Sequence, residues 1–284
     1  MYAIMGITGN VGGALARALL AAGQPVCAIV RDAEKGRAWA ALGCEVREAQ
    51  VADVPALTAA FSGAAGVFVL PPSEFDPAPG FPEAKALNAA LYAALSAAQP
   101  ERVVCLSTIG AQAEPSNLLS QRTLLERALA PLPCALTFLR PAWFMENLAW
   151  DIEFAKKQGI LKCFLQPLEQ PFAMVATEDV GNYAAELMQR SEPGLRIAEL
   201  EGPRRITQHE IAATLTELLG RPVRAQAVPR DTWFGLFEAQ GMRHPEPRIQ
   251  MLDGFNQGWI RFEGEPSSVR RGQVELRQVL SRLI

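Results

Sequence analysis

Cysteine, histidine and net charge are in short supply in this sequence, and each shortage argues against a class of function. The five cysteines, Cys27, Cys44, Cys105, Cys134 and Cys163, are odd in number, form no C-x-x-C pair and fall mostly in apolar segments. That pattern speaks against a disulfide scaffold or a thiolate zinc site and for buried thiols in a reducing compartment. The two histidines, His209 and His244, stand apart without neighbouring ligand clusters, so no metal centre is expected. A formal net charge of -3 gives no field that would draw in nucleic acid or an anionic membrane. No apolar run approaches the roughly 20 residues of a membrane span, and the first residues read as a core strand rather than a leader. A cytoplasmic protein acting on a small molecule is the expectation, with a homodimer or a protein partner left open.

What is present is alternation. The chain has 284 residues, 49% of them hydrophobic. Apolar runs of strand length alternate with helical periods as far as about residue 200, which predicts an α/β fold with a Rossmann-like, doubly wound parallel sheet. After that point short segments with scattered aromatics follow, and they predict a smaller C-terminal lobe. The expected division is interleaved. Residues 1–144 and 172–202 form the nucleotide-binding core, and residues 145–171 and 203–284 form the lobe over the mouth of its cleft.

The organising stretch is the first, Ala3-Ile4-Met5-Gly6-Ile7-Thr8-Gly9-Asn10-Val11-Gly12-Gly13. An apolar run feeds a glycine-spaced turn, and the turn opens a helix with Leu15, Leu19 and Leu20 on a helical period. Gly6 lets the chain turn off the strand, Gly9 has no Cβ to hold off a diphosphate, and Gly12 lets the helix close on the sheet. The amides of Asn10, Val11 and Gly12 then face the anion at the positive end of a helix. The second strand, Pro25 to Val30, ends at Arg31, and a cation at that tip suits the 2′-phosphate of NADP, with Lys35 and Arg37 adding positive charge. Asp32 is the competing feature, because a one-residue shift would present a carboxylate to a ribose diol. Arg31 and Lys35 also read as solvated loop charges.

Further along, helices are expected over Glu34 to Leu42 and Asn117 to Leu129, and Thr177 is expected to cap the helix that follows it. Asp53 reads either as an adenine contact or as an N-cap. Five prolines crowd the loop from Pro71 to Pro82, which leaves the carboxyl end of the fourth strand and so borders the ligand crevice. Ser107 and Thr108 end the fifth strand where substrate and nicotinamide should lie, or else bond neighbouring backbone. Thr207 to Glu210 form a capping box, which makes His209 a first-turn residue.

Several segments together resemble the NmrA-like branch of the atypical short-chain dehydrogenase/reductases. They are Gly6-Ile7-Thr8-Gly9-Asn10-Val11-Gly12, Val30-Arg31-Asp32, the run from Leu139 through Arg140-Pro141 to Phe144-Met145-Glu146-Asn147-Leu148, Thr177-Glu178-Asp179-Val180-Gly181, and Glu201-Gly202-Pro203 before Ile206-Thr207. The resemblance implies an NAD(P) domain with a smaller C-terminal lobe, and relatives that are NADPH-dependent quinone and dye reductases or nucleotide-sensing regulators. Carried over, it assigns the diphosphate to Gly6, Thr8, Gly9, Asn10, Val11 and Gly12, and the 2′-phosphate to Arg31. It sets Leu70 and Pro71 along the adenosine and Phe144 beside the nicotinamide. Many relatives have a lysine four residues before the glutamate matching Glu126, where this chain has Arg122. Gln50 stands where an aspartate usually meets the adenine.

Short-chain dehydrogenases that reduce simple ketones use a Tyr-x-x-x-Lys pair as proton donor. Of the three tyrosines here, Tyr2, Tyr92 and Tyr183, none precedes a lysine by four. The reaction then expected is hydride transfer, with NADP(H) favoured over NAD(H), to a conjugated acceptor such as a quinone or a dye that spreads the incoming charge itself. Arg122 would orient the ribose or polarise the acceptor, Ser107 or Thr108 would bond it, and Trp143, Phe144 and Trp233 would form an aromatic rim. The alternative is a non-catalytic NAD(P) sensor acting through protein partners.

Overall fold

In the computed structural model, which describes residues 1–190 and 192–284, eight strands align in one parallel sheet. The first, β1 (Tyr2–Met5), lies inside it. β2 (Val26–Val30) and β3 (Glu45–Glu48) extend the sheet one way, and the chain then jumps back across β1 to β4 (Gly66–Val69), β5 (Arg102–Leu106) and β6 (Ala135–Pro141). Two later strands, β10 (Leu195–Glu201) and β12 (Arg270–Arg271), complete that side. The tail therefore returns to the large sheet and does not stay in the smaller lobe. All pairings are parallel.

The strands are apolar runs because both faces are covered. Ile4, Ala28, Phe68 and Val104 point into one core, with Leu15 and Leu19 of α1 (Asn10–Ala21) and Val180, Ala184 and Met188 of α7 (Thr177–Gln189). Ala3, Met5, Val67, Val69 and Cys105 point into the other. There they meet α3 (Val54–Phe61), α4 (Pro82–Ala98) and α5 (Ser120–Leu129) through Leu57, Phe61, Leu91, Leu95, Leu125 and Leu129. Leu15 and Leu19 are wholly buried, each worth about 1.5–3 kcal/mol. α1 and α7 pack closely enough that a Cβ on Gly181 would lie 2.5 Å from the Ala14 Cβ.

A third core fills the smaller lobe. It gathers Leu148 with Ile152 and Ala155 of α6 (Ala149–Gln158), Leu161 and Cys163 of β8 (Ile160–Cys163), Ile211 and Leu215 of α8 (Gln208–Leu219), and Val279 and Leu280 of α11 (Leu276–Leu283). β8 pairs with β11 (Arg224–Ala227). The helices α9 (Trp233–Ala239) and α10 (Glu246–Gln257) join the first core instead, through Trp233, Phe237, Ile249, Leu252 and Phe255. Among the described residues no helix is long and apolar enough to cross a membrane.

Three local expectations change. The helix expected from Glu34 is a single 3-10 turn over Ala33–Gly36 followed by the five-residue α2 (Arg37–Ala41). Gly36 lies against β3, where a Cβ would meet Val46 at 2.5 Å. The helix expected from Asn117 starts at Ser120, because Asn117 spends its side chain on a local turn, accepting from the Leu119 amide at 2.8 Å. Thr177 is the first helical residue of α7 and not its cap. The carboxylate of Glu146 takes that place, accepting the Thr177 amide and hydroxyl.

Candidate functional site

The crevice lies where the strand order reverses, between β1 and β4 at their carboxyl ends. Gly6 turns the chain there with φ of +67°, and it sits against Leu70, whose Cδ2 would be 2.7 Å from a Cβ. Gly12 stands against the same turn, where a Cβ would lie 2.6 Å from the Gly6 carbonyl carbon and 2.9 Å from the Ile7 nitrogen. Gly9 differs. It precedes α1 in extended backbone, gives no side-chain cap and leaves its Cβ position open, with only the Gly6 carbonyl at 3.4 Å. The first turn of α1 holds no acid, and Thr8, Gly9 and Asn10 are exposed while Val11 and Gly12 are buried. An uncapped helix start with open space before it is a fitting cradle for a diphosphate.

At the tip of β2, Arg31 is exposed and makes no salt bridge among the described residues. The carboxylate of Asp32 accepts from the Glu34 amide at 3.0 Å and so caps the turn that follows. The acid thus serves the backbone through Oδ1, and the arginine has no partner among the described residues. Lys35 is exposed nearby, whereas Arg37 is paired with Glu34. Asp53 caps α3, accepting from the Ala56 amide at 3.0 Å, and Gln50 is exposed before it.

Leu70 is half-buried and Pro71 buried at the end of β4. The loop beyond them is held from α5. Arg122 Nη2 donates to the Pro71 carbonyl at 3.0 Å and to the Ser73 hydroxyl at 2.6 Å. Gln121 exchanges two hydrogen bonds with the Glu74 backbone. Burial lowers the Arg122 pKa from its ordinary value. The loop also reaches the segment between α9 and α10: the Asp76 carboxylate accepts from the amides of Arg243 and His244, which hold it below the usual carboxylate range.

Ser107 is not available to a substrate in the manner expected. Its buried hydroxyl donates to Glu126 Oε1 at 2.5 Å. Glu126 receives two further donors from the Arg140 guanidinium, Nε at 2.8 Å and Nη2 at 2.6 Å. Arg140 reaches on to Glu263 at 2.6 Å. Burial pulls the Arg140 pKa down, but Glu126 and Glu263 outweigh it and hold the guanidinium above its ordinary value. Thr108, half-buried alongside, has no side-chain hydrogen bond among the described residues.

Phe144 is set by backbone pairing. β7 (Trp143–Phe144) lies beside β9 (Met174–Val175), Phe144 opposite Val175, and both aromatics are half-buried. Trp143 meets Phe255 edge-on at 5.2 Å. Trp233 is no part of a rim: it is 1% exposed and donates its indole N–H to the Val228 carbonyl. His209 sits exposed in the first turn of α8, behind the capping box formed by Thr207 and Glu210.

The sequence profile of the NmrA-like family matches residues 2–242. The chain belongs to the NmrA-like family. It is 29% identical to the NAD(P)H azoreductase of Xenophilus azovorans over 231 residues, 80% of this chain and 77% of that one. Its fold matches the NADPH complex of the Escherichia coli NADPH-dependent quinone oxidoreductase QOR2 with a TM-score of 0.82 at 23% identity, over 100% and 99% of the two chains. The Citrobacter sp. triphenylmethane reductase complexed with NADP(H) matches with a TM-score of 0.82 at 20% identity, over the same shares.

In this NmrA-like chain the residues that made the Arg-Pro stretch distinctive serve architecture. Arg140 locks β6 to α5 through Glu126, and Glu146 caps α7. Nothing in residue spacing pointed to Glu126 as the partner of Arg140, since the two meet only when β6 lies beside β5 under α5.

Proposed function

We propose that this protein is an NADPH-dependent reductase that passes hydride to a flat, conjugated acceptor of the quinone or dye kind. The observation that carries the reading is the joint one at the crevice. The amides of Asn10 to Gly12 open an uncapped helix in front of the space at Gly9, and an unpaired Arg31 stands at the tip of the next strand. Diphosphate and 2′-phosphate together are what those two features fit. When bound, the nicotinamide supplies the hydride. Gly6, Thr8, Gly9, Asn10, Val11 and Gly12 would hold the diphosphate, Arg31 with Lys35 the 2′-phosphate, and Leu70 and Pro71 the adenosine side. Phe144 would flank the nicotinamide ring.

Arg122 keeps Nε and Nη1 without a partner among the described residues, so it remains the cation that orients the ribose or polarises the acceptor. Thr108 has a free hydroxyl to bond the acceptor, and Ser107 supports the site through Glu126. The three curated or solved relatives named above act on azo, quinone and triphenylmethane compounds, which supports the acceptor class. The test is NADPH oxidation followed by absorbance with a panel of quinones, azo dyes and triarylmethane dyes, against a Gly9→Arg control. Turnover lost in the control is expected. No turnover above the control overturns the reading, and tight NADPH binding without turnover points to the nucleotide sensor instead.

A further inference from the structure

Two arginines, Arg122 and Arg248, are half-buried yet have no carboxylate within ion-pair reach among the described residues, where every other arginine is either so paired or exposed. A sheltered cation loses hydration, and here no anion makes up the loss. Arg122 is held by the loop that leaves β4, through Pro71 and Ser73. Arg248 has only soft partners. Its guanidinium lies over the Phe237 ring, 4.3 Å from the centre, and Nη1 approaches the Met242 sulfur at 3.7 Å. Its Nε and Nη2 have no hydrogen-bond partner among the described residues, and neither is sealed from solvent. Burial lowers the Arg248 pKa from its ordinary value, but an arginine keeps its charge at neutral pH.

Direct contacts place α10 across the crevice. At its start the Pro247 carbonyl accepts the Leu118 amide at 2.8 Å, two residues before α5. Just ahead of it, Arg243 and His244 give their amides to Asp76, in the loop whose other end Arg122 holds. Near the end of α10, Phe255 meets Trp143 edge-on at 5.2 Å, and Trp143 is the neighbour of Phe144 on β7. The helix therefore runs from the β4 loop to the strand that carries Phe144. Arg248, Leu252 and Phe255 recur at helical spacing on one stripe, so the guanidinium shares the face that meets Trp143, whereas Gln250 and Gln257 hold the exposed face. Between the two anchored ends of the loop, Phe75 is 60% exposed and meets Trp150 edge-on at 6.1 Å, which adds an apolar surface for a flat ring.

We propose that Arg248 binds an acidic substituent of the acceptor, so that the substrates of this protein are conjugated compounds carrying a carboxylate, sulfonate or phosphate group. The inference rests on the reductase reading above. Nε and Nη2 form one side of the guanidinium fork, two parallel N–H donors that match two oxygens of such a group. The acid sits at the Asp76 end of the loop, and the reducible end points toward Arg122 and Phe144. Asp151 acts on Arg248 only from beyond ion-pair distance, so no internal anion fills the fork. Phe237 and Met242 keep water from part of the guanidinium, which strengthens its attraction for an incoming anion. The substituent takes no part in hydride transfer, so the contact sets affinity rather than the chemical step.

Paired acceptors test the assignment: a naphthoquinone sulfonate with its parent naphthoquinone, and an azo dye carboxylate with its methyl ester. Arg248→Met keeps the cover over Phe237 without the charge. It should raise KM for the acid relative to its neutral partner by about ten- to a hundredfold, with the loss in KM rather than kcat. Arg248→Lys should recover part of that loss, because it restores the charge without the fork. In the wild type, KM for the acid should rise with salt between about 10 and 300 mM while KM for the neutral partner does not. A purely structural arginine would move both partners together, so a KM ratio that is the same in Arg248→Met and the wild type overturns the proposal. Should the variants fail to fold, equal salt dependence of the two wild-type KM values overturns it as well. Absence of turnover with all four acceptors would instead remove the reductase reading on which the inference rests.

Discussion

Gly9 and Gly12 belong to one turn but should fail in opposite ways when each is given a methyl group. At Gly12 the new Cβ would lie 2.6 Å from the Gly6 carbonyl carbon and 2.9 Å from the Ile7 nitrogen, where carbon contacts prefer about 3.5–4.0 Å. Both neighbours are backbone, and the Gly9 amide bonded to the Gly6 carbonyl at 3.0 Å ties the turn together. Relief therefore requires α1 to back away from β1, which also disturbs its tight packing on Gly181. Such overpacking costs about 3 kcal/mol, at the upper end of the usual range, or roughly 6–12 °C in Tm for a chain of this size. At Gly9 the backbone, with φ of -92° and ψ of 176°, suits any residue, and the Cβ meets only one oxygen at 3.4 Å. Stability should then change by less than about 1 kcal/mol, a poorer cap being offset by a stiffer unfolded chain. The methyl would instead occupy the diphosphate's place and weaken NADPH by roughly ten- to a hundredfold through lost charged hydrogen bonds. Calorimetric melting and NADPH titration of both variants decide the matter. Equal melting losses, or a Gly9→Ala protein that binds NADPH like the wild type, would refute the reasoning.

Arg31→Ala should weaken NADPH by about 1.5–3 kcal/mol and leave NADH nearly unchanged; equal losses in a titration with each nucleotide would assign Arg31 to the fold. Glu126→Ala should destabilise the protein by about 3 kcal/mol in urea unfolding, because it strands the buried Arg140 guanidinium and the Ser107 hydroxyl together. A loss below about 1 kcal/mol would show that Glu263 and Gln112, whose side-chain oxygens both accept from Arg140 Nη1, suffice. Asp151 should make stability fall as pH rises. Its folded pKa of about 6 lies above the unfolded value of about 3.9, so the native state holds the proton more tightly between those values. About 2–3 kcal/mol is therefore lost from pH 4 to pH 6. The advantage of Asp151→Asn over the wild type should grow across that window, and a difference independent of pH would refute the shift.

Much of this protein was settled by local pattern. Strands buried on both faces read as unbroken apolar runs, and the turn at Gly6, Gly9 and Gly12 demands its glycines for reasons within a few residues of each. Thr207 and Glu210 could be paired by eye because a capping box closes over three residues. The polar side chains followed no such rule. Asp53 went to the backbone amide three residues on, which spacing had allowed without choosing, and Asp32, whose place had suggested only a ribose contact, went to the amide two residues on. Ser107 met Glu126 on a helix nineteen residues on, Glu146 met Thr177 thirty-one residues on, and Trp233 sank into the core that α9 and α10 built with it. A side chain with several partners within reach takes the one that packing brings near and burial makes costly to leave unpaired. Hydrophobic period is a property of the chain alone, and the address of a buried hydroxyl, acid or indole is a property of which elements end up side by side.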